Sequence, residues 1–468
     1  EGEELSSDEI IKGLRSAVAE GAVVPVLCGS ATANIAIGPL LDSITKLLPS
    51  PADVPPAVAT NLATGEEEQL SPDPSGPLAA LVFKTTADPY VGKLTYLRVI
   101  SGTIESDSRV LNSRTNSEER IGQLFYLAGR NQTQTDAIGA GDIGAVAKLG
   151  DVRTGDTLSD RGRPLALPPL AIPTPVFSVA VHAKSQADFD KMSTSMARLV
   201  EEDPTLHLER EPSTGELILS GMGEAHIDVA IRRLQHKFGV EVVTSIPKVP
   251  YRETITRSVQ AQGRFKRQTG GRGQFGDVWL RVEPRERGSG FEFADEVFGG
   301  AVPRNYIPAV EKGVVEAMQE GVVAGYPVVD VLVALYDGSY HPVDSSDMAF
   351  KIAGSLGFRK AAEQAEPILL EPIMKVTITV PEQFMGDVLG DLNSKRGRVL
   401  GMDQERGTSV VTALVPLAEM RRYATDLRAM TQGRGVFTME LSHYDQVPPH
   451  IAEQVIAEAR REKEEQAG

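Results

Sequence analysis

The chain has 468 residues, which at about 100 to 200 residues per domain divides into about three to five units. Its composition, 41% hydrophobic and 24% charged, excludes general disorder and a fibrous architecture; a single cysteine, Cys28, excludes an internal disulfide framework and a cysteine-rich zinc site. A net charge of −16 disfavours a generic nucleic-acid binder, because nonspecific affinity comes from cations that displace counterions.

No apolar run approaches the roughly 20 residues of a membrane helix, and the acidic start Glu1 to Glu4 is the opposite of a signal peptide's basic region. The expectation is a cytoplasmic protein with no membrane partner. The first residue is Glu rather than Met, so the chain is expected to be cut from a longer one.

Residues 1–50 contain an apolar strand, Val23 to Leu27, then Cys28-Gly29-Ser30-Ala31, then a helix with Leu40, Leu41, Ile44, Leu47 and Leu48 on one side. One strand and one or two helices bury no core alone, so this stretch is expected to be the remnant of an α/β domain. The prolines at 49, 51, 55 and 56 predict an extended linker over 51–75. From 76 to 172, short alternating strands such as Lys93 to Val99, broken by Gly at close intervals, predict a small β-barrel.

Over 173–248 the order is a strand (Val176 to Val181), a helix marked by Phe189, Met192, Met196 and Leu199, a hairpin turning at Ser213-Thr214-Gly215, a second helix marked by Ile227, Ile231, Leu234 and Phe238, and the strand Val240 to Val243. That is the split βαββαβ unit of ferredoxin-like folds. The same order recurs over 369–449, with an alternating strand at Met374, Val376, Ile378 and Val380, a helix over about 382–395, a hairpin at Glu405-Arg406-Gly407, a helix with Met420, Tyr423, Leu427 and Met430, and the strand Val436 to Leu441. These two ferredoxin-like domains flank a mixed α/β domain, 249–368. The tail, 450–468, is expected to be a frayed helix at best. The fold class is therefore multidomain α+β.

Cations cluster at two places: Arg264, Lys266, Arg267 and Arg272, and again at Lys395, Arg396 and Arg398. Basic patches on an acidic body fit selective docking on a phosphate-rich surface, against the plain alternative of solvated loops.

Read together, these stretches resemble elongation factor G. Ala87-Asp88-Pro89-Tyr90-Val91-Gly92-Lys93-Leu94 and Arg98-Val99-Ile100-Ser101-Gly102 resemble that family's second domain, and Glu201-Glu202-Asp203-Pro204-Thr205 with Ser220-Gly221-Met222-Gly223-Glu224-Ala225-His226 its third. Arg272-Gly273-Gln274-Phe275-Gly276, Pro303-Arg304-Asn305-Tyr306-Ile307-Pro308-Ala309-Val310 and Tyr340-His341-Pro342-Val343-Asp344-Ser345-Ser346 resemble its fourth. Leu392-Asn393-Ser394-Lys395-Arg396-Gly397 and Met430-Thr431-Gln432-Gly433-Arg434-Gly435 resemble its fifth. Pro25 to Ala31 resembles the end of the family's GTPase domain, where Ser30 and Ala31 would sit beside a guanine base.

The resemblance implies a translational GTPase, yet the chain has no G-x-x-x-x-G-K-[ST] phosphate loop and no Asn-Lys-x-Asp. GTP and Mg are expected only in the full-length parent, and this chain is expected to hydrolyse nothing and to hold no cofactor or metal. The resemblance also implies that the fourth domain reaches the decoding centre of the small ribosomal subunit through two tip loops, Gln268 to Gln274 and Ser339 to Asp344. The implied RNA-contacting residues are Arg267, Gln268, Gly270, Gly271, Arg272, Gln274, His341 and Asp344, with Lys395, Arg396 and Arg434 as further ribosome contacts. Glycines let backbone approach a phosphate chain, and the neighbouring cations supply charge-assisted hydrogen bonds.

The implied partners are both ribosomal subunits, ribosomal RNA and the tRNA–mRNA pair, bound by a monomer. Two departures, Asp277 where the family commonly has His and Ala225 where a larger apolar residue is common, point to a divergent paralogue. Ribosome recycling, ribosome protection and nucleotide-independent ribosome binding therefore stand beside translocation.

Other motifs lose to their context. Gly271 to Gly276 satisfies G-x-G-x-x-G but precedes a strand-like run rather than a helix, unlike a dinucleotide fingerprint. His341, Asp344 and Ser345 as a triad, or His341, Asp344 and Asp347 as a metal site, lack geometry and a fourth ligand. Asp387 to Gly390 matches D-x-x-G inside an amphipathic helix, and Glu224 reads as a helix-start charge.

Overall fold

In the computed structural model, which describes residues 6–88, 92–129, 131–268, 273–405 and 407–467, the chain divides into two compact units. The first holds Glu1–Ile172 with Arg198–Pro204, the second Pro173–Ala197 with Thr205–Gly468.

The first unit begins with two helices, Ser7–Ala19 and Ile37–Leu47, neither of which buries a residue. Ser6 and Glu9 form a reciprocal capping box on the first helix. The strand expected at Val23 to Leu27 does not form: these residues are irregular, and Val24 and Val26 are 79% and 87% exposed. An apolar run becomes a strand only against a partner, and no described strand pairs with it.

The stretch 51–75 is not the linker its prolines predict. Pro51–Asp53 is a single 3-10 turn, and Ala57–Asn61 pairs antiparallel with Glu67–Leu70, adding Leu165–Ala166 as a third strand. Ala59, Leu70, Ala79 and Leu165 form a small core there, which outweighs the extended bias of the prolines.

Beyond it lies an eight-stranded antiparallel sheet with Ala79–Asp88 and Gly92–Ser101 at its centre and the polar strands Ser117–Arg120 and Asn131–Thr135 at its edges. The expected barrel is corrected to an open sheet, since no described pairing joins the two edges. A separate two-stranded ladder, Thr103–Glu105 with Ala137–Gly139, puts Ile104 and Ile138 into the same core as Val82, Leu97, Val99 and Val146. Side chains therefore cover this core where edge-to-edge hydrogen bonds do not.

The second unit's strands, in the order His207–Arg210, Leu217–Gly221, Phe177–Ala183, Val242–Ser245, make an antiparallel sheet; with the helices Gln186–Glu202, whose residues from Arg198 on belong to the first unit, and Glu224–Phe238 they follow the βαββαβ order read from sequence. The module near the end repeats it, with Arg398–Glu405, Thr408–Pro416, Ile368–Pro381 and Val436–Gln446 as its four principal strands. Its second helix is broken into Leu417–Met420 and Tyr423–Met430.

The tail departs from expectation. Pro449–Ala467 is a helix, and its Val455 is buried with Val249, Tyr251, Ala324, Leu369 and Val447. Ile451, Ala452, Ile456 and Ala459 pack beside them, so spacings of one, three and four residues dock a segment whose charges alone predicted fraying.

Between the two modules, four strands in the order Val259–Arg267, Gln274–Pro284, Val331–Ser339, Phe291–Asp295 form a sheet, antiparallel except for its last pair. The helices Ile307–Glu320 and Asp347–Gln364 contribute Val310, Val314, Phe350, Ala353 and Phe358 to a core shared with Ala261, Val278 and Leu280. The approach is close: a Cβ at Gly263 would strike the main chain of Ala353 and Gly357.

Candidate nucleic-acid interface

Strand register builds this site. Val259–Arg267 runs into Gln274–Pro284 through the connection that starts at Gln268, and Ser339 lies opposite Asp277. The segment that follows Ser339 therefore emerges at the same end of the sheet as that connection. Gly270, Gly271 and Arg272 lie outside the described residues; Arg267, Gln268 and Gln274 are exposed.

The two loops are tied at three points, and a fourth bond braces the second loop internally. Asp344 Oδ1 accepts the Gly273 N–H at 3.0 Å, and the Asp344 carbonyl accepts the Phe275 N–H at 2.9 Å. Ser345 Oγ donates to the Phe275 carbonyl and accepts the His341 N–H, both at 2.9 Å. Ser345 is buried, and a hydroxyl held twice by main chain is a strut rather than a nucleophile, which disposes of the triad. Among the described residues no group of side chains could hold a metal.

His341 is half exposed and its ring is oriented from below. Nδ1 accepts the N–H groups of Val343 at 3.3 Å and Asp344 at 3.1 Å. Since an imidazole nitrogen that accepts carries no proton, the neutral ring keeps its hydrogen on Nε2. That leaves an N–H donor and a ring face for a phosphate or a base. The ring meets Phe275 edge-on, centroids 6.5 Å apart, and the Arg264 guanidinium lies 5.8 Å from the centroid of the same Phe275 ring. Arg264, Lys266 and Arg267 make no ion pair among the described residues.

Other candidates sit differently. Asp277 is buried and accepts from Gln262 Nε2 and Ser339 Oγ, each at 2.8 Å, so this departure changes the support of the tip and not its surface. Lys395 is held by Asp426 at 3.0 Å and by Asp391 at 3.5 Å. Arg396 forms a two-pronged pair with buried Glu371 at 2.6 and 3.0 Å and a further bond to Glu419; its hydrogen bonds to Glu371 hold the guanidinium above its ordinary pKa. Both are internal ties. Arg434 is exposed and stacks on Phe384 with 4.8 Å to the ring centroid. In the first unit, Ser30 Oγ accepts the Ala33 N–H and Ala31 is exposed.

Sequence reading missed Glu253. It is fully buried, and its carboxylate accepts five backbone N–H groups, from Val322, Val323, Ala324, Gly325 and Tyr326, at 2.6 to 3.1 Å. The only trace in sequence is the glycine-framed run Gly321 to Gly325, which carries no acidic partner of its own.

Comparison with known proteins adds an independent line. Family models match in chain order: "Elongation factor G domain 2" over residues 77–161, "Elongation Factor G, domain III" over 172–246, "Elongation factor G, domain IV" over 247–366 and "Elongation factor G C-terminus" over 368–455. A crystal structure of a protein from Thermus thermophilus is 40% identical with a TM-score of 0.77, the match covering 98% of this chain and 66% of that one. The chain thus spans just under two thirds of that protein.

Proposed function

Because the chain belongs to the elongation factor G family, we propose that it is the ribosome-contacting part of a translation factor that moves tRNA and mRNA through the ribosome. GTP would be bound and hydrolysed by a domain whose motifs this sequence lacks. Of a guanine site only the Ser30-Ala31 turn has a counterpart by resemblance, and a partly exposed serine beside an exposed alanine does not make one, so no chemistry on GTP is assigned to this chain.

The observation that carries the reading is the paired tip. Two loops locked through Asp344 and Ser345 hold His341 with its Nε2–H outward, beside Arg264, Lys266 and Arg267, whose charges no described carboxylate neutralises. A rigid sheet-and-helix body beneath the tip is what a mechanical element needs, because motion at one end must reach the other without loss in a soft joint. RNA of both subunits and the tRNA–mRNA pair are the partners such a tip fits.

The test is single-round translocation on purified ribosomes, with this chain joined to its GTPase domain and native protein compared with His341→Ala at equal GTP turnover. Slowing of at least tenfold, about 1.4 kcal/mol of barrier, makes the tip a translocation device. GTP turnover with tRNA left in place would point to ribosome recycling instead.

A further inference from the structure

Among the described residues, the sheet that carries the tip has helices on one face only. Cα-paired residues of adjacent strands share a face, so the rows Arg264–Asp277–Ser339 and Gln262–Trp279–Asp337 both lie on the face opposite the core residues Ala261, Gly263, Val278 and Leu280. Phe275, two residues before Asp277, continues that face up to His341.

Aromatic and cationic side chains run along it, with Asp277 held beneath by Gln262 and Ser339 and exposed Asp337 opposite Trp279 at its far end. Trp279, the one tryptophan of the chain, is 36% exposed, a large apolar side chain left in water. Its ring lies 6.5 Å from that of Tyr336, which the irregularity at Trp279/Leu280 brings beside it. Tyr336 Oη donates to Gln260 Oε1 at 3.3 Å, holding that ring in place. From Phe275 to Trp279 the strand advances about 13 Å, room for a few unstacked nucleotides. Arg264 and Lys266 flank this track with no carboxylate partner among the described residues, whereas Arg281 beyond it is neutralised by Glu283 and Glu296.

We infer that this open face binds single-stranded RNA, bases stacking on Trp279, Tyr336 and Phe275 while phosphates run along Arg264 and Lys266. Stacking surfaces with a cationic border suit a single strand; a duplex hides its base faces and would meet only the cations. The acidic neighbours of Arg281 mark where the track ends. The inference takes its kind of partner from the tip reading but does not need the ribosome. Its failure would leave ribosome docking by the tip untouched.

Trp279 is itself the reporter. Titrating the chain with an oligouridylate of about eight nucleotides should quench its fluorescence saturably, with log affinity falling against log salt at a slope of about −1.4 for two contacted phosphates. Arg264→Gln should weaken binding and flatten that slope by about 0.7. With a labelled oligonucleotide read by anisotropy, Trp279→Ala should weaken binding at least tenfold and Trp279→Phe should restore most of it, which a merely misfolded variant would not do. Three results would overturn the inference: no quenching at low salt, equal affinity for duplex and single strand, or unchanged affinity in Tyr336→Ala and Trp279→Ala. If RNA-free ribosomal protein quenches Trp279 where oligouridylate does not, the face is a protein dock and the RNA assignment falls.

Discussion

Asp344 joins the two tip loops to each other, its carboxylate taking the Gly273 N–H and its carbonyl the Phe275 N–H. The same residue donates its own N–H to His341 Nδ1, so one residue sets both loop spacing and imidazole orientation. Replacing it by Ala removes one neutral-donor-to-carboxylate bond at a partly exposed site, a cost of about 1 to 2 kcal/mol. The fold should therefore survive while the loops loosen. Asp344→Ala is expected to melt within a few degrees of native protein but to lose hydrogen-exchange protection at Gly273 and Phe275, and, on the proposed function, to slow translocation to the extent expected of His341→Ala. Unchanged protection at both amides would show that the loops are held by other means.

Glu253 gathers five main-chain donors on one carboxylate, and all five come from the loop 322–326. Glu253→Gln keeps the shape but replaces one acceptor oxygen by an NH2 that faces N–H donors. Several donors are then left unmatched in a buried site, at about 1 to 3 kcal/mol apiece before relaxation. We expect Glu253→Gln to lower the urea midpoint, with exchange of the Val322 to Tyr326 amides accelerating before that of the sheet. Amides at 322–326 exchanging no faster than in native protein would rule out this carboxylate as the loop's anchor.

What could be read from sequence followed from whether a residue's partner was local. The ferredoxin-like modules announced themselves because Val176 to Val181 is a short apolar run, Met374 to Val380 alternates, and their helices repeat apolar residues at three and four, patterns set within each element. The apolar run Val23 to Leu27 misled because strand formation depends on a neighbour that no described strand supplies. The hairpin at 57–70 was hidden by its proline-rich approach and acidic strand, since its stabilising contacts come from Ala79 and Leu165. At the site, motif resemblance pointed to two loops, but it could not separate exposed His341 from Lys395 and Arg396. Only the positions of Asp426, Asp391, Glu371 and Glu419 reveal that those two cations are already bound.

Arg396 gives that distinction a measurable form. A cation that contacts RNA should weaken ribosome binding in a salt-dependent way when removed, with little effect on stability. Arg396 instead neutralises Glu371, whose side chain is 3% exposed, and its loss strands a buried carboxylate at a cost of about 3 to 5 kcal/mol. Arg396→Met should therefore destabilise the chain strongly, and Glu371→Leu in the same molecule should recover much of the loss, because the pair leaves together. Arg396→Lys should rescue poorly, since an ammonium lacks the fork that matches both oxygens. A stable Arg396→Met that binds ribosomes weakly would restore the RNA-contact assignment.

The pair Tyr251 and Tyr326 sets a limit at alkaline pH. Their rings meet edge-on with centroids 5.4 Å apart in the cluster that seats the tail helix. Burial, with Tyr251 and nearby carboxylates adding to it, pushes the Tyr326 hydroxyl up to about 12, and burial raises Tyr251 in the same direction. A phenol whose folded value exceeds its unfolded value of about 10 keeps its proton in the folded state after the unfolded chain has lost it. Between about pH 10 and 12 the folded state therefore binds more protons, and stability falls as pH rises. Below about pH 10 the contribution is complete and flat. Urea midpoints should accordingly decline above about pH 10, and Tyr326→Phe, which keeps the ring and deletes the ionisable group, should flatten that decline while leaving neutral-pH stability nearly unchanged. An equally steep alkaline decline in Tyr326→Phe would assign it to other groups.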